Sequence, residues 1–290
     1  MPATRSGAGR VAASTRTRSL VAGPSRRGRV LGAFPSAVYV DLGAGGGRDF
    51  LAVETADGLG LPSAATLAAP SSARPLQAVC AGDDAHVGTG CLDLGPLRFD
   101  VVRWWSPRRP RTIATVPYDD ARLTAVMRLL PALPQELDDR LGSLTSGLAH
   151  PSGAELHSAA TGLLGLGTGL TPEGDDVLAG LLVTLAAAPA TRLLARGLGE
   201  VIASQVNRTT TLSAALLRDA ADGFAVPALV DLVDALHETH EAGRPTTHRA
   251  LADVVVRLLA VGHTSGAALA HGAVAAARLH AAMPARPEVA

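Results

Sequence analysis

The sequence predicts an α+β chain, with a β-rich N-terminal domain followed by an all-helical C-terminal domain. Three observations lead there. Short apolar or alternating runs, divided by Gly, Pro and Asp-Gly turns, fill residues 28–115. From about Tyr118 the apolar positions change to a spacing of three and four. A glycine-rich stretch from Gly165 to Asp176 then opens the most apolar of these helical runs. With 290 residues the chain can bury a substantial core, in one large domain or two small ones.

Residues 1–27 are rich in Arg, Ser, Thr, Ala and Gly and contain no acid, so a disordered tail is expected there. Strands are expected over Val30–Phe34, Val38–Leu42, Phe50–Glu54 and Leu97–Trp105. Gly43 to Gly47 reads as a flexible hairpin loop; it lacks both the G-x-G-x-x-G spacing and the following helix of a nucleotide fingerprint. Of Trp104 and Trp105, one is expected to face the core and the other an interface. Arg108-Arg109-Pro110-Arg111 reads as a solvated connector rather than an anion site.

The helical domain is placed at residues 116–283. Leu123, Val126, Leu129 and Leu130 mark its first helix, and Leu137 to Leu144 the next. Leu178, Leu181, Leu182 and Leu185 share one face of the helix after the glycine stretch. Further helices carry Leu193 to Ile202, then Leu212 to Leu217 with a stop at Asp222-Gly223, then Leu229–Leu236, Leu251–Leu259 and Leu269–Leu279.

Composition excludes several functions. The formal net charge is +0 and the pI about 7.1, so nothing pulls the chain toward nucleic acid or anionic lipid. All 26 basic residues are arginine, which removes Schiff-base and P-loop lysine chemistry. Cys80 and Cys91 read as reduced thiols, not a disulfide framework or a zinc site. The longest apolar run, Val177 to Ala188, stops at Pro189, short of the roughly 20 residues that span a bilayer. With no secretory apolar region near the start, a cytoplasmic protein without membrane or nucleic-acid partners is expected.

Three polar islands interrupt the apolar helical half. The first reads G-L-G-T-G-L-T-P-E-G-D-D. Thr171 is placed to cap a helix, and Pro172 suits its first position. Free first-turn amides and the glycine backbone would cradle an anion. Asp175 and Asp176 would repel a bare phosphate. Both facts fit if one aspartate takes a divalent cation such as Mg2+, or an amide-bearing group, while the amides take an anion; a structural turn with a charged cap fits as well. No other cofactor is implied, and the metal requirement stays open.

The second island is Asn207-Arg208-Thr209-Thr210-Thr211, ending at Ser213. Its hydroxyls and the Arg208 fork suit a carboxylate or phosphate, and a threonine N-cap beside a surface arginine is the alternative. The third is Gly262-His263-Thr264-Ser265-Gly266. A nucleophile elbow needs serine at the centre and a preceding strand, whereas Thr264 is central and no strand precedes it. Capping by Thr264 or Ser265 is the simpler reading, with His263 as a candidate acid–base group or ligand donor. His271 reads as an ordinary helix residue. Together the islands suggest one site assembled from loops.

The order G-L-G-T-G-L-T-P-E-G-D-D, R-T-T-T-L-S and G-H-T-S-G resembles the AllH-type subunit of oxamate carbamoyltransferase and its domain-of-unknown-function relatives, over roughly Gly28 to Leu279. That family usually has serine where this chain has Glu173, a helix position expected to be exposed. The resemblance implies a role in ureide (allantoin) breakdown, a branch of purine catabolism. There oxalurate is phosphorolysed to oxamate and carbamoyl phosphate, with other carbamoyltransferase subunits as partners. It implies a small anionic substrate held by Gly165, Gly167, Gly169, Thr171, Gly174, Arg208, Thr209, Thr210, Ser213, Thr264 and Ser265. His263, Asp175 and Asp176 would be the catalytic candidates. A non-catalytic assembly or metabolite-sensing subunit, or a stand-alone small-anion-binding protein, is the alternative. A second string, Ser14-Thr15-Arg16-Thr17-Arg18-Ser19, resembles the carbamoyl-phosphate loop of aspartate and ornithine transcarbamoylases. That loop needs a buried strand before it and a helix after it; the sequence suggests neither, so chance is the expected origin.

Overall fold

Short strands rich in small and apolar residues run from Ala8 onward, and in the computed structural model they close a barrel. The structure describes residues 8–43, 47, 49–112, 120–149, 153–237 and 248–282. It divides into two units, Met1–Pro107 and Arg108–Ala290. The first holds strands β1 (Ala8–Ser14), β2 (Arg26–Ala33), β3 (Ala37–Asp41), β4 (Phe50–Glu54), β5 (Ala64–Leu67), β6 (Asp84–Gly88), β7 (Cys91–Leu94) and β8 (Leu97–Trp105). Their order around the barrel is β1-β5-β4-β3-β2-β6-β7-β8. The β1/β8 and β4/β5 pairs are parallel and the others antiparallel. Closure removes exposed strand edges. Val11, Val38, Val40, Leu51, Val53, Val87, Leu92 and Phe99 contribute to the core.

Residues 8–27 are therefore not a disordered tail. Val11 and Ala13 point inward from β1, which pairs with both β5 and β8. A 3-10 turn (Thr15–Thr17) and the one-turn helix α1 (Arg18–Val21) follow. The S-T-R-T-R-S string thus has a strand before it and a short helix after it, contrary to expectation. Its buried hydroxyls are used inside the turn: Thr17 Oγ1 donates to the Ser14 carbonyl at 2.8 Å, and Ser14 Oγ accepts from Arg16 N at 3.2 Å. The Arg18 guanidinium stacks 4.5 Å above Trp104. Trp104 packs on the barrel core, and Trp105 Nε1 donates to the Ala12 carbonyl at 3.2 Å.

Buried Glu54 ends β4 and fastens the next loop, its Oε2 accepting from Gly60 N and Leu61 N at 3.1 Å each. Burial pushes that carboxyl up to about 7 despite these donors. Of the expected hairpin loop, residues 44–46 and 48 lie outside the described residues.

The second unit begins with Arg108, eight residues before the expected boundary at 116. Its helices are α2 (Asp120–Leu129), α3 (Gln135–Ala149), α4 (Gly153–Leu163), α5 (Glu173–Ala187), α6 (Arg192–Ser204), α7 (Thr211–Ala221), α8 (Pro227–His237), α9 (His248–Leu259) and α10 (Ser265–Ala282). The arginine run is no free connector. Arg108 pairs with Asp231 and Asp234 of α8, and Arg111 N donates to Asp234 Oδ1 at 2.7 Å. Asp222 and Gly223 end α7 as expected, Gly223 with φ 80°.

Helix α5 is buried without interruption from Gly174 to Leu185, not along one face. Packing it on α10 requires backbones in near contact. A Cβ on Gly180 would overlap the Leu269 carbonyl oxygen, and one on Gly272 the Val177 carbonyl oxygen. Among the described residues no helix is long and apolar enough to cross a membrane. Glycine to alanine inside a helix ordinarily stabilises by about 1 kcal/mol. Gly272→Ala should reverse that sign and destabilise by about 1–3 kcal/mol through overpacking. Urea unfolding checks this, and an unchanged or raised midpoint would contradict the close-approach account.

Candidate functional site

The glycine stretch adopts backbone angles that side-chain-bearing residues avoid: φ is 76° at Gly165, 114° at Gly167 and 86° at Gly169. At Gly165 there is a second reason, because a Cβ would overlap the Arg208 carbonyl oxygen. Pro172, with φ −53° and ψ 140°, is the N-cap of α5, and its carbonyl accepts from Asp175 N at 2.9 Å and Asp176 N at 3.2 Å. Pro172 is thus one position earlier than expected, and Thr171 does not cap. Thr171 Oγ1 instead lies 3.2 Å from Ser265 Oγ at the start of α10.

The expected amide cradle is filled by the chain itself. Gly165 N donates to Asp175 Oδ1 at 2.8 Å, and Thr168 N to Glu173 Oε2 at 3.3 Å. Gly174 N bonds the Leu166 carbonyl at 2.8 Å. Gly167 leaves room for the Glu173 carboxylate, which a Cβ at that position would strike. Glu173 is therefore no exposed bystander. It is half-buried, and its Oε1 accepts from Thr264 Oγ1 at 3.1 Å, so it joins the first island to the third. The signal for this was an acid one residue past Thr-Pro, within reach of a glycine with no side chain of its own.

Asp175 is 2% exposed and both its oxygens are satisfied. Besides Gly165 N it accepts from the Thr209 and Ser213 hydroxyls. Burial raises its pKa and those donors oppose the rise. Asp176 is 5% exposed and poorer in partners. The Ser265 hydroxyl donates to it, but its Oδ2 has no hydrogen-bond partner. Burial pushes its carboxyl up to about 7, with smaller contributions from Asp175 and Glu173. Thr210 is the N-cap of α7, accepting from Ser213 N at 3.0 Å and donating to the Leu170 carbonyl at 2.5 Å.

The three islands therefore converge on the start of α5. Three hydrogen-bonded sets meet there: Gly165, Thr209, Thr210 and Ser213 around Asp175, Thr171 and Ser265 around Asp176, and Thr168 and Thr264 around Glu173. Gly167, Gly169 and Gly174 shape the loop. Arg208 reaches the junction through its backbone, while its side chain is exposed. His263 is exposed, and no hydrogen bond joins it to these sets among the described residues. His271 is buried and structural, with Nε2 2.9 Å from the Pro131 carbonyl. Among the described residues no group of three or more His, Cys, Asp or Glu could hold a metal ion. Mg2+ does not suit Asp175, because N–H and O–H donors already point at both its oxygens.

Residues 163–277 match the family model of oxamate carbamoyltransferase subunit AllH. Over that stretch the helical unit is similar to subunit AllH. The match runs from the end of α4 into α10 and contains every residue of the three sets. No solved structure matches the chain.

The raised Asp176 pKa fixes a sign. A carboxyl near 3.8 when unfolded and near 7 when folded binds its proton more tightly in the native state. Stability is then greatest below about pH 4 and falls as pH rises toward 7. Asp176→Asn cannot ionise, so its stability relative to wild type should improve between pH 4 and pH 8 by a few kcal/mol at most. Denaturation at both pH values measures the difference, and a pH-independent difference would refute the buried-acid account. Thr209→Val should cost about 1–3 kcal/mol by leaving Asp175 short of a donor, read from the same unfolding curves.

Proposed function

We propose that this chain is a subunit of an oxamate carbamoyltransferase-like complex of ureide (allantoin) catabolism. It would act on oxalurate and phosphate or, in reverse, on oxamate and carbamoyl phosphate. The observation that carries the reading is the buried, incompletely bonded Asp176 at the meeting point of three motifs, within the stretch that matches subunit AllH. Oxalurate offers a ureido group rich in N–H donors and a carboxylate. The junction holds the carboxylates Glu173, Asp175 and Asp176, so it attracts the first and repels the second. In this reading the ureido group faces Asp176, and the carboxylate points to exposed Arg208.

Phosphorolysis joins a phosphate oxygen to the ureido carbonyl carbon and breaks that carbon's bond to the oxamate nitrogen. The departing nitrogen must take up a proton. Asp176, protonated up to about pH 7, is the proposed donor. Asp175 is a positioning residue, because its oxygens already tie the glycine loop to α7. His263 has no required part in this scheme.

A non-catalytic assembly or metabolite-sensing subunit is the second reading. It is favoured by the loop amides being taken up by the chain's own carboxylates. Activity of the reconstituted complex separates the two. Carbamoyl phosphate should be released from oxalurate and phosphate, and Asp176→Asn should lower kcat about 100-fold or more, the scale of a lost general acid. Full activity of Asp176→Asn in an intact complex would sink the proton-transfer role. Full activity of the partner subunits without this chain would support the second reading.

A further inference from the structure

The opposite end of α5 borders a cavity with the reverse electrostatic character. Ala186 and Ala187, the last residues of that helix, line a cavity of about 370 Å³ together with Arg109, Arg192, Arg196, Thr112 and Asp222. The lining thus carries three arginines against one aspartate, in a chain whose formal net charge is +0. The volume falls in the range of small-molecule sites.

The arginines come from separate parts of the fold, and two of them are held at some cost. Arg192 and Arg196 lie one turn apart on α6, where like charges at i and i+4 repel. They also occupy the first two turns of that helix, whose positive end disfavours cations. The N-cap Thr191 gives no side-chain cap; its Oγ1 donates to the Leu185 carbonyl at 2.7 Å instead. Arg109 arrives from the segment that Arg108 and Arg111 fasten to α8, and its guanidinium stacks 4.1 Å above the Phe224 ring. Among the described residues none of the three arginines has a carboxylate ion-pair partner. Helix stability does not account for this grouping. An anion would offset each of the unfavourable terms at once.

We propose that this cavity binds a small oxyanion metabolite, phosphate- or carboxylate-bearing, at a site separate from the carboxylate junction. Helix α5 is 15 residues long, about 22 Å at 1.5 Å per residue, and it lies between the two places. Arg109 supplies a fixed, stacked fork, and Arg192 and Arg196 supply two more from a single helix face. Asp222 limits the fit: it favours a ligand that also carries a hydroxyl or a proton on one oxygen. The site does not depend on the reaction proposed above.

Calorimetric titration of the full chain at low ionic strength, with orthophosphate in one arm and citrate in the other, tests the proposal. Saturable binding of at least one anion is expected, and the arm that binds more tightly identifies the ligand class. The double variant Arg192→Ala/Arg196→Ala should weaken binding about tenfold or more, as loss of charge-assisted contacts does. Both side chains are exposed and opposed by the helix start, so its thermal midpoint should equal or exceed that of wild type. Arg128→Ala, an exposed arginine on α2 away from both places, should bind as wild type does. Three results would each overturn the proposal: no saturable binding of either anion, binding unchanged in the double variant, or equal loss in Arg128→Ala. None of these depends on oxalurate turnover, so either reading can fail alone.

Discussion

Helix α5 has no face turned toward water from Gly174 to Leu185, and much of the helical unit follows from that constraint. An amphipathic helix packs by its apolar stripe, but a helix buried all round must be approached on every side. The longest partner, α10, comes so near that glycine is needed on both helices, at Gly180 and Gly272. Polar chemistry is thereby pushed to the ends of α5. The islands at 165–176, 207–213 and 262–266 are the segments that surround its N-terminal end, so their convergence is a consequence of burying that helix.

The end of such a helix is a costly place for carboxylates, and the two neighbours there solve the problem differently. Asp175 is bonded at both oxygens by a backbone amide and hydroxyls, which recover much of its lost hydration. Asp176 has a serine hydroxyl and one bare oxygen, and near neutrality it holds a proton instead. Glu54 in the barrel unit makes the intermediate case: it has two backbone donors on one oxygen, a bare second oxygen, and a carboxyl pushed up to a similar value. The bare oxygen of Glu54 accompanies a loop-fastening role. That of Asp176 lies where three loops meet, which is why it carries the functional weight.

Legibility in the sequence followed the strength of the apolar pattern. Phe50–Glu54 and Leu97–Trp105 were readable to the residue because large apolar side chains mark both strands. β1, β5, β6 and β7 were not, because alanine, glycine, aspartate and histidine carry little periodic signal, and pairing around a closed barrel supplies what propensity lacks. The meeting of the three islands could be inferred from their shared rarity in an Ala/Leu/Val background. The direction of their hydrogen bonds could not. A glycine loop before a helix start reads equally well as a cradle for a ligand's anion or for the chain's own, and only the positions of Glu173 and Asp175 decide between them.

That decision bears on how the electrostatics of α5 should be understood. A helix start attracts negative charge and a helix end attracts positive charge, and burial weakens the screening of both by solvent. Glu173, Asp175 and Asp176 stand at the start, and Arg109, Arg192 and Arg196 line a cavity at the end. The α5 dipole favours the sign at each of its ends, although the start of α6 opposes it for Arg192 and Arg196. It does not explain why the carboxylates are held in hydrogen-bonded sets while the arginines face an open volume. Carboxylates repel an external anion, and the loop amides that could have drawn one are taken by Glu173 and Asp175, whereas arginines without a carboxylate partner keep their attraction. A neutral chain has thus separated its charges along one buried helix, and the end suited to receive an anion is the one that the glycine motif does not mark.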